Sequence, residues 1–233
     1  MAKAGKRIRA LIDSGKFKKT ETLSMDDALA VLVGGSGVKF DETVEVALQL
    51  GVDTKKSDQT VRGACVLPAG TGKAVRVAVV TSTEEGKQAA LAAGAEKVGF
   101  EDLIEEIKEG KTDFDTLIAT PSVMRQLAAV GKILGPRQLM PNPKDGTVTD
   151  NLAAAVQKAI SGQVRFRAEK SGIVHAPVGK TSFSTVDLKR NIESFIDSLK
   201  RAKPAASKGL YLRRLSLSTS MGLSLRVDMS SYR

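Results

Sequence analysis

The chain of 233 residues is 42% hydrophobic and 27% charged, which excludes a disordered polymer and allows one large core or two small ones. A single cysteine, Cys65, excludes an internal disulfide, and no apolar run approaches the roughly 18 residues of a membrane-spanning helix. The formal net charge of +10 favours a polyanionic partner: RNA, DNA or an acidic membrane.

The basic stretch 1–20 lacks the apolar core of a signal peptide, so a cytoplasmic protein is expected, and residues 4–14 read as a short basic helix. Ser24, with Asp27 three residues on, caps a predicted helix through Val33 that stops at Gly34 and Gly35. Val44, Val46, Leu48 and Leu50 alternate over 43–50, the period of a half-buried strand. A polar connection, 51–60, leads to a second strand at 61–67, where Cys65 is expected to be a buried thiol. Pro68 to Lys73 then breaks the pattern as a candidate hinge.

The middle of the chain has another rhythm. Strands at 75–81, 97–100 and 116–120 alternate with helices at 84–93, 101–109 and 121–130, and a further helix spans 151–161. Continuous apolar strands alternating with helices predict a parallel sheet covered on both faces. From Gly162 the first rhythm returns. Strands at 164–168 and 173–177 are expected to form a hairpin around 169–172, and a long helix starts at Ser184 or Thr185 and ends near Ala202, before Pro204. Two last strands, 209–217 and 223–228, flank the turn 219–222. The outer parts share antiparallel character, so residues 1–69 and 160–233 are expected to form one discontinuous domain with 70–159 inserted.

Charge supports that division. Residues 1–69 carry 11 basic and 9 acidic side chains, 70–159 carry 11 and 12, and 160–233 carry 14 and 5. A charge serving solubility alone would be spread evenly, so this distribution points to a polyanion-binding surface on the outer parts.

Catalytic and cofactor motifs are missing where their spacing is tested. A phosphate-cradling loop needs Gly six residues before its Lys, yet Leu67 precedes Lys73 and Val174 precedes Lys180 at that distance. With one histidine and one cysteine, a Cys/His metal cluster cannot be assembled from this chain alone. A Ser-His-Asp site would have to use His175, in a predicted hairpin without a nucleophile elbow. The acid pairs Glu84-Glu85, Glu101-Asp102 and Glu105-Glu106 suit helix starts and solvated faces. Neither enzymatic turnover, nor a cofactor, nor a metal is expected.

RNA offers more. Arg165 and Arg167 share one strand face, away from Val164 and Phe166, suiting a phosphate backbone or plain solvent. Lys39 and Phe40 follow a glycine-rich stretch; Phe40 is either an RNA contact or an apolar loop anchor. The run STSMG (218–222) offers hydroxyls that suit phosphates and 2′-OH groups, a thioether, and a glycine for close approach or positive φ; a polar hairpin turn is the alternative. With aromatics at 4% and no Trp, folded RNA read by shape fits better than an unstacked single strand.

The blocks IATPSVM (118–124), GKILGPR (131–137) and LMPNPK (139–144) closely resemble the ribosomal protein L1 family, in its bacterial form. KFDETVE (39–45), DQ (58–59) before VRG (61–63), KSGIVH (170–175) and SMG (220–222) extend the resemblance over essentially the whole chain. It implies an α/β fold of two domains: a discontinuous two-layer α+β domain from the N- and C-terminal parts, and an inserted Rossmann-like three-layer α/β domain. It further implies binding to the mobile stalk of large-subunit rRNA beside the tRNA exit site, among other ribosomal components. Contact with exit-site tRNA, assisting release of deacylated tRNA, and repression of translation through the protein's own mRNA leader also follow from it, with no membrane partner.

Family RNA contacts map onto Lys39, Phe40, Thr43, the turn Lys170, Ser171, Gly172 with His175, and Ser220, Met221 and Gly222. Thr219 joins them as a hydroxyl of the same turn, and Lys170 and Lys180 join Arg165 and Arg167 as expected phosphate contacts. Three positions depart from the family: Ser220 stands for the usual Thr, Arg214 for a Ser contact of some members, and Gln138 for the usual Gly. Competing classes are a stand-alone RNA chaperone or assembly factor and, more distantly, an α/β enzyme.

Overall fold

In the computed structural model the described residues are 22–35 and 37–232, with the backbone alone at 57; the expected helix at 4–14 lies outside them. In chain order the elements are β1 (Thr22–Leu23), α1 (Met25–Gly34), β2 (Thr43–Leu50), β3 (Arg62–Val66), β4 (Val77–Val80), α2 (Glu84–Ala92), β5 (Lys97–Gly99) and α3 (Glu101–Lys108). They continue with β6 (Thr116–Ala119), α4 (Met124–Leu127), α5 (Gly131–Leu134), α6 (Leu152–Ile160), β7 (Gln163–Arg167), β8 (Ile173–Lys180), α7 (Thr185–Arg201), β9 (Leu212–Thr219) and β10 (Ser224–Val227). The chain divides into two compact units, Met1–Gly72 with Val164–Arg233, and Lys73–Gln163.

The first unit is built on a five-stranded sheet in the order β1-β10-β9-β2-β8, antiparallel except where β1 joins β10. The alternation of β2 is realised: Val44, Val46, Leu48 and Leu50 are buried, while Thr43, Glu45, Ala47 and Gln49 turn to the open face. α1 and α7 cover the buried face. Ser24 caps α1 by accepting from the Asp27 N–H at 3.2 Å, and Ser184 caps α7 through Asp187 at 3.1 Å. Leu188, Ile192, Phe195, Ile196 and Leu199 form the apolar stripe of α7 and join the strand residues in one core. Each such fully buried side chain stabilises the unit by about 1.5–3 kcal/mol.

The expected 164–168/173–177 hairpin does not form. β7 pairs with β3 in a separate two-stranded ribbon, and β8 pairs with β2. The 169–172 turn does close, through Glu169 N–H to Ile173 C=O at 2.9 Å, with Gly172 at φ 74°. Beyond it Val164 and Phe166 are drawn into the core, where the Phe166 and Phe195 rings meet edge to face at 5.7 Å. β8 also runs past Pro177 to Lys180; as the sheet's edge strand it tolerates a residue that cannot donate to a ladder.

The second unit carries a parallel sheet in the order β5-β4-β6. Ala78 and Val80 of β4 pack into one apolar cluster with α3, α4 and α5, and Val77 and Val79 into another with Ala90 of α2 and the Leu152–Ala159 face of α6. Both faces are therefore covered, as the continuous apolar strands required. The expected helix at 121–130 instead breaks into short turns of 3-10 and α-helix reaching Leu134.

Gln138 has φ 58° and is the one non-glycine residue at positive φ among those described. A side chain in the left-handed region costs about 1–2 kcal/mol, partly offset by the conformational freedom a glycine loses on folding. Gln138→Gly is thus expected to raise stability by about 0.5–1 kcal/mol, seen as a higher urea midpoint at unchanged m-value. An unchanged or lowered midpoint would show that the Gln side chain offsets the strain.

Candidate nucleic-acid interface

The start of β2, the end of β8 and the end of β9 meet at one end of the five-stranded sheet, Thr43 lying opposite Lys180 and Val44 opposite Thr219. There two loops are clasped together. The Ser220 N–H donates to the Thr43 carbonyl at 3.1 Å, and the Ser220 Oγ accepts from the Thr43 N–H at 3.1 Å. Glu42, 1% exposed, places its Oε1 to accept from the Met221 N–H at 2.8 Å, and its carbonyl accepts from the Thr181 N–H at 2.9 Å. The Glu42 Oε2 is buried without a hydrogen-bond partner among the described residues.

Asp41 ties in the third segment, accepting from the Ser182 hydroxyl at 2.8 Å, the Thr181 hydroxyl at 2.9 Å and the Ser182 N–H at 3.1 Å. The Ser182 hydroxyl, foremost, then the Thr181 hydroxyl, the Ser182 amide and the Lys180 charge hold the Asp41 carboxyl below the usual carboxylate range. Lys180 in turn donates to the Asp41 carbonyl at 3.3 Å.

On this fixed base two large apolar side chains stand in solvent, Phe40 at 53% and Met221 at 56% exposure. Phe40 is therefore not an apolar loop anchor; the hydrogen bonds of Asp41 and Glu42 hold its loop instead. Lys39 and Ser220 are exposed beside them. Apolar tips on rigid loops, rimmed by cations and a hydroxyl, make a surface that gains by being covered.

Two expectations about the turn change. Gly222 does not adopt a positive φ; it is small because an added Cβ would strike the Thr219 Oγ1. Thr219, 7% exposed, is the floor under Gly222 and does not present its hydroxyl to a ligand.

The other candidates lie elsewhere. Lys170, Ser171 and Gly172 sit at the opposite end of β2, where the Leu50 N–H donates to the Gly172 carbonyl at 2.8 Å, about 24 Å away by strand rise. Gly172 is buried, Lys170 and Ser171 exposed. His175 is exposed midway along the open face, opposite Ala47, with its Nε2 4.0 Å from the Glu169 Oε1. Arg165 and Arg167 project from β7, outside the main sheet; Arg165 is half-buried, with its Nη2 shielded, and Arg167 is exposed. Arg214 is exposed at the register of Gln49.

Sequence reasoning gave no separate role to Asp41 or Glu42, which entered only as part of the KFDETVE block (39–45). Glu42→Ala is expected to lower unfolding free energy by about 1.5–3 kcal/mol, the range for a hydrogen bond to a charged group, whereas Glu42→Gln keeps the acceptor and stays within about 1 kcal/mol. Denaturant titration of both variants decides, and equal losses would remove the Met221 N–H bond as the reason.

Among the described residues, no three His, Cys, Asp or Glu side chains are grouped to hold a metal ion, and no helix is long and apolar enough to cross a membrane. Residues 32–223 match the model of the ribosomal protein L1p/L10e family. The chain is 52% identical over 231 residues to the large ribosomal subunit protein uL1 of Paraburkholderia phytofirmans (strain DSM 17436 / LMG 22146 / PsJN), covering 99% of this chain and 98% of that one. It is 52% identical to the protein of the same name from Ralstonia nicotianae (strain ATCC BAA-1114 / GMI1000), covering 99% of each, and 53% identical to that of Burkholderia mallei (strain SAVP1), covering 99% and 98%. With a family match over most of its length and relatives this similar end to end, the chain belongs to the ribosomal protein L1p/L10e family.

Proposed function

We propose that the protein is a constituent of the large ribosomal subunit in the cytoplasm, acting by binding rather than turnover. Its discontinuous outer domain binds the rRNA of the mobile stalk near the tRNA exit site, and its insert is a Rossmann-like domain. The observation that supports this most is the pair of exposed apolar side chains, Phe40 and Met221, on loops clasped by Thr43, Ser220 and Glu42. Apolar tips fill a concavity in folded RNA, while Lys39 and Lys180 meet its phosphates. The protein's own mRNA leader would occupy the same surface, so rRNA and mRNA exclude each other there and free rRNA relieves repression. Assistance to release of deacylated tRNA from the exit site belongs to the same reading.

Crosslinking in cells, with mapping of the bound RNA, tests it. Crosslinks from the 39–43 and 220–222 segments are expected in the stalk rRNA and in one mRNA leader, and each RNA should displace the other in vitro. Crosslinks scattered over many unrelated transcripts, with loss of the protein from large subunits in high-salt washing, would favour an RNA chaperone instead.

A further inference from the structure

The end of the sheet opposite Phe40 and Met221 is as strongly built, and its charge is one-sided. Four segments are tied together there: the Gly51 N–H donates to the Tyr211 carbonyl at 2.7 Å, the Ser207 hydroxyl to the Gly51 carbonyl at 3.2 Å, the Thr54 hydroxyl to the Lys170 carbonyl at 2.6 Å, and the Tyr211 hydroxyl to the Leu199 carbonyl at 3.1 Å. From Ser198 to Val227 the chain holds seven Lys and Arg and no Asp or Glu. Lys55, Lys56, Lys170, Lys200, Lys203 and Lys208 are all exposed at this end.

None of these six has a carboxylate ion-pair partner among the described residues, although Lys203 lies over the Tyr211 ring, 5.9 Å from its centroid. Elsewhere in the same unit Lys189 is neutralised by Asp26 at 2.8 Å. Three carboxylates share these loops. Asp53 is engaged by the Lys55 N–H at 3.2 Å, Glu169 lies 4.0 Å from His175, and Asp58 is exposed. The helix dipole accounts for Lys200, in the last turn of α7, but not for Lys203 and Lys208 beyond it or for Lys55 and Lys56 on another segment. An open cleft of about 360 Å³ between Lys200, Lys203 and the 209–212 segment offers entry to a ribose–phosphate unit.

We infer that Lys55, Lys56, Lys200, Lys203 and Lys208, next to the Lys170 already expected to meet a phosphate, form a second phosphate-binding surface, which grips the backbone of the same RNA that Phe40 and Met221 engage about 24 Å away along β2. The inference rests on the RNA-binding reading above. The first surface selects the RNA; the second adds affinity without regard to sequence, because phosphates carry no sequence information.

The test uses the full chain, stalk rRNA made by transcription and an unrelated RNA hairpin of equal length, with affinities measured between about 50 and 400 mM KCl. Replacing Lys55, Lys56, Lys200, Lys203 and Lys208 by Gln is expected to flatten the dependence of log Kd on log salt by about 3–5 units on both RNAs. Affinity at moderate salt should fall at least about 100-fold. Lys189→Gln should leave both unchanged, and Met221→Ala should weaken stalk binding without changing the slope. A quintuple variant that keeps the wild-type slope on both RNAs overturns the inference. A wild type that binds the hairpin as tightly as the stalk overturns the stalk reading instead, and the slope on the hairpin still decides the second surface. Should the quintuple variant lose thermal stability, the Lys55/Lys56 pair and the Lys200/Lys203/Lys208 triple are compared separately, each expected to show its share of the change.

Discussion

Met221→Ala is expected to weaken binding of stalk RNA by about 1–3 kcal/mol, the loss typical of an interface anchor. The side chain is 56% exposed, so its removal takes little from the folded core, and thermal stability should hold. Phe40→Ala should behave alike. The two side chains stand on loops joined through Glu42 and Thr43, so both are expected to enter one concavity of the RNA, and the double variant should lose less than the two single losses added. The dependence of affinity on salt should barely move, since neither side chain displaces a counterion. A drop in melting temperature with intact RNA affinity would make the turn structural and sink the assignment.

A larger effect is expected of Gly222→Val. Any Cβ there would strike the Thr219 Oγ1 and come within 3.3 Å of the Thr219 Cβ. Thr219 cannot yield easily, because its backbone is paired with Val44 and its side chain is buried. The turn must therefore lift, carrying Met221 and Ser220 off their bonds to Glu42 and Thr43. RNA affinity should fall at least about 100-fold, or ~2.7 kcal/mol, with some loss of stability. The smaller Gly222→Ala isolates the cause. It should be damaging beside Thr219 and much milder in a Thr219→Ala background, where the opposing hydroxyl is gone. Equal damage in both backgrounds would exclude the steric explanation.

How much of this was legible beforehand depends on whether the physics was local. The cap of Ser24 on Asp27, the alternation of β2 and the bounds of α7 are written in neighbouring residues and read correctly. The partner of β7 is not written there. Val164 and Phe166 show that a strand has a buried face but not which ribbon it joins, so the hairpin with β8 was the natural and mistaken expectation. Two-residue β1 is too short to carry a period. At the interface, the hydroxyl and thioether of the turn were legible as surface groups, and Ser220 and Met221 are exposed. The burial of Thr219 and Glu42, and the separation of Lys170 from Phe40, are set by strand register across the sheet and have no sequence signature. Gln138 was noticeable as a departure from the family's glycine; only its φ of 58° gave the departure a physical meaning.

The clasp between Thr43 and Ser220 joins residues 177 positions apart in the chain. A ribosome making this protein has therefore passed β9 before the Phe40–Met221 surface exists. At about 5–20 residues per second, β2 waits on the order of 10–35 s for β9 to emerge. For most of that interval neither of its edges has a sheet neighbour, since β8 also lies beyond the entire Lys73–Gln163 unit. A chain cut short anywhere before β9 lacks the second half of the clasp. Premature termination products thus lack the surface that would select the RNA, and selective binding reports that synthesis has passed β9.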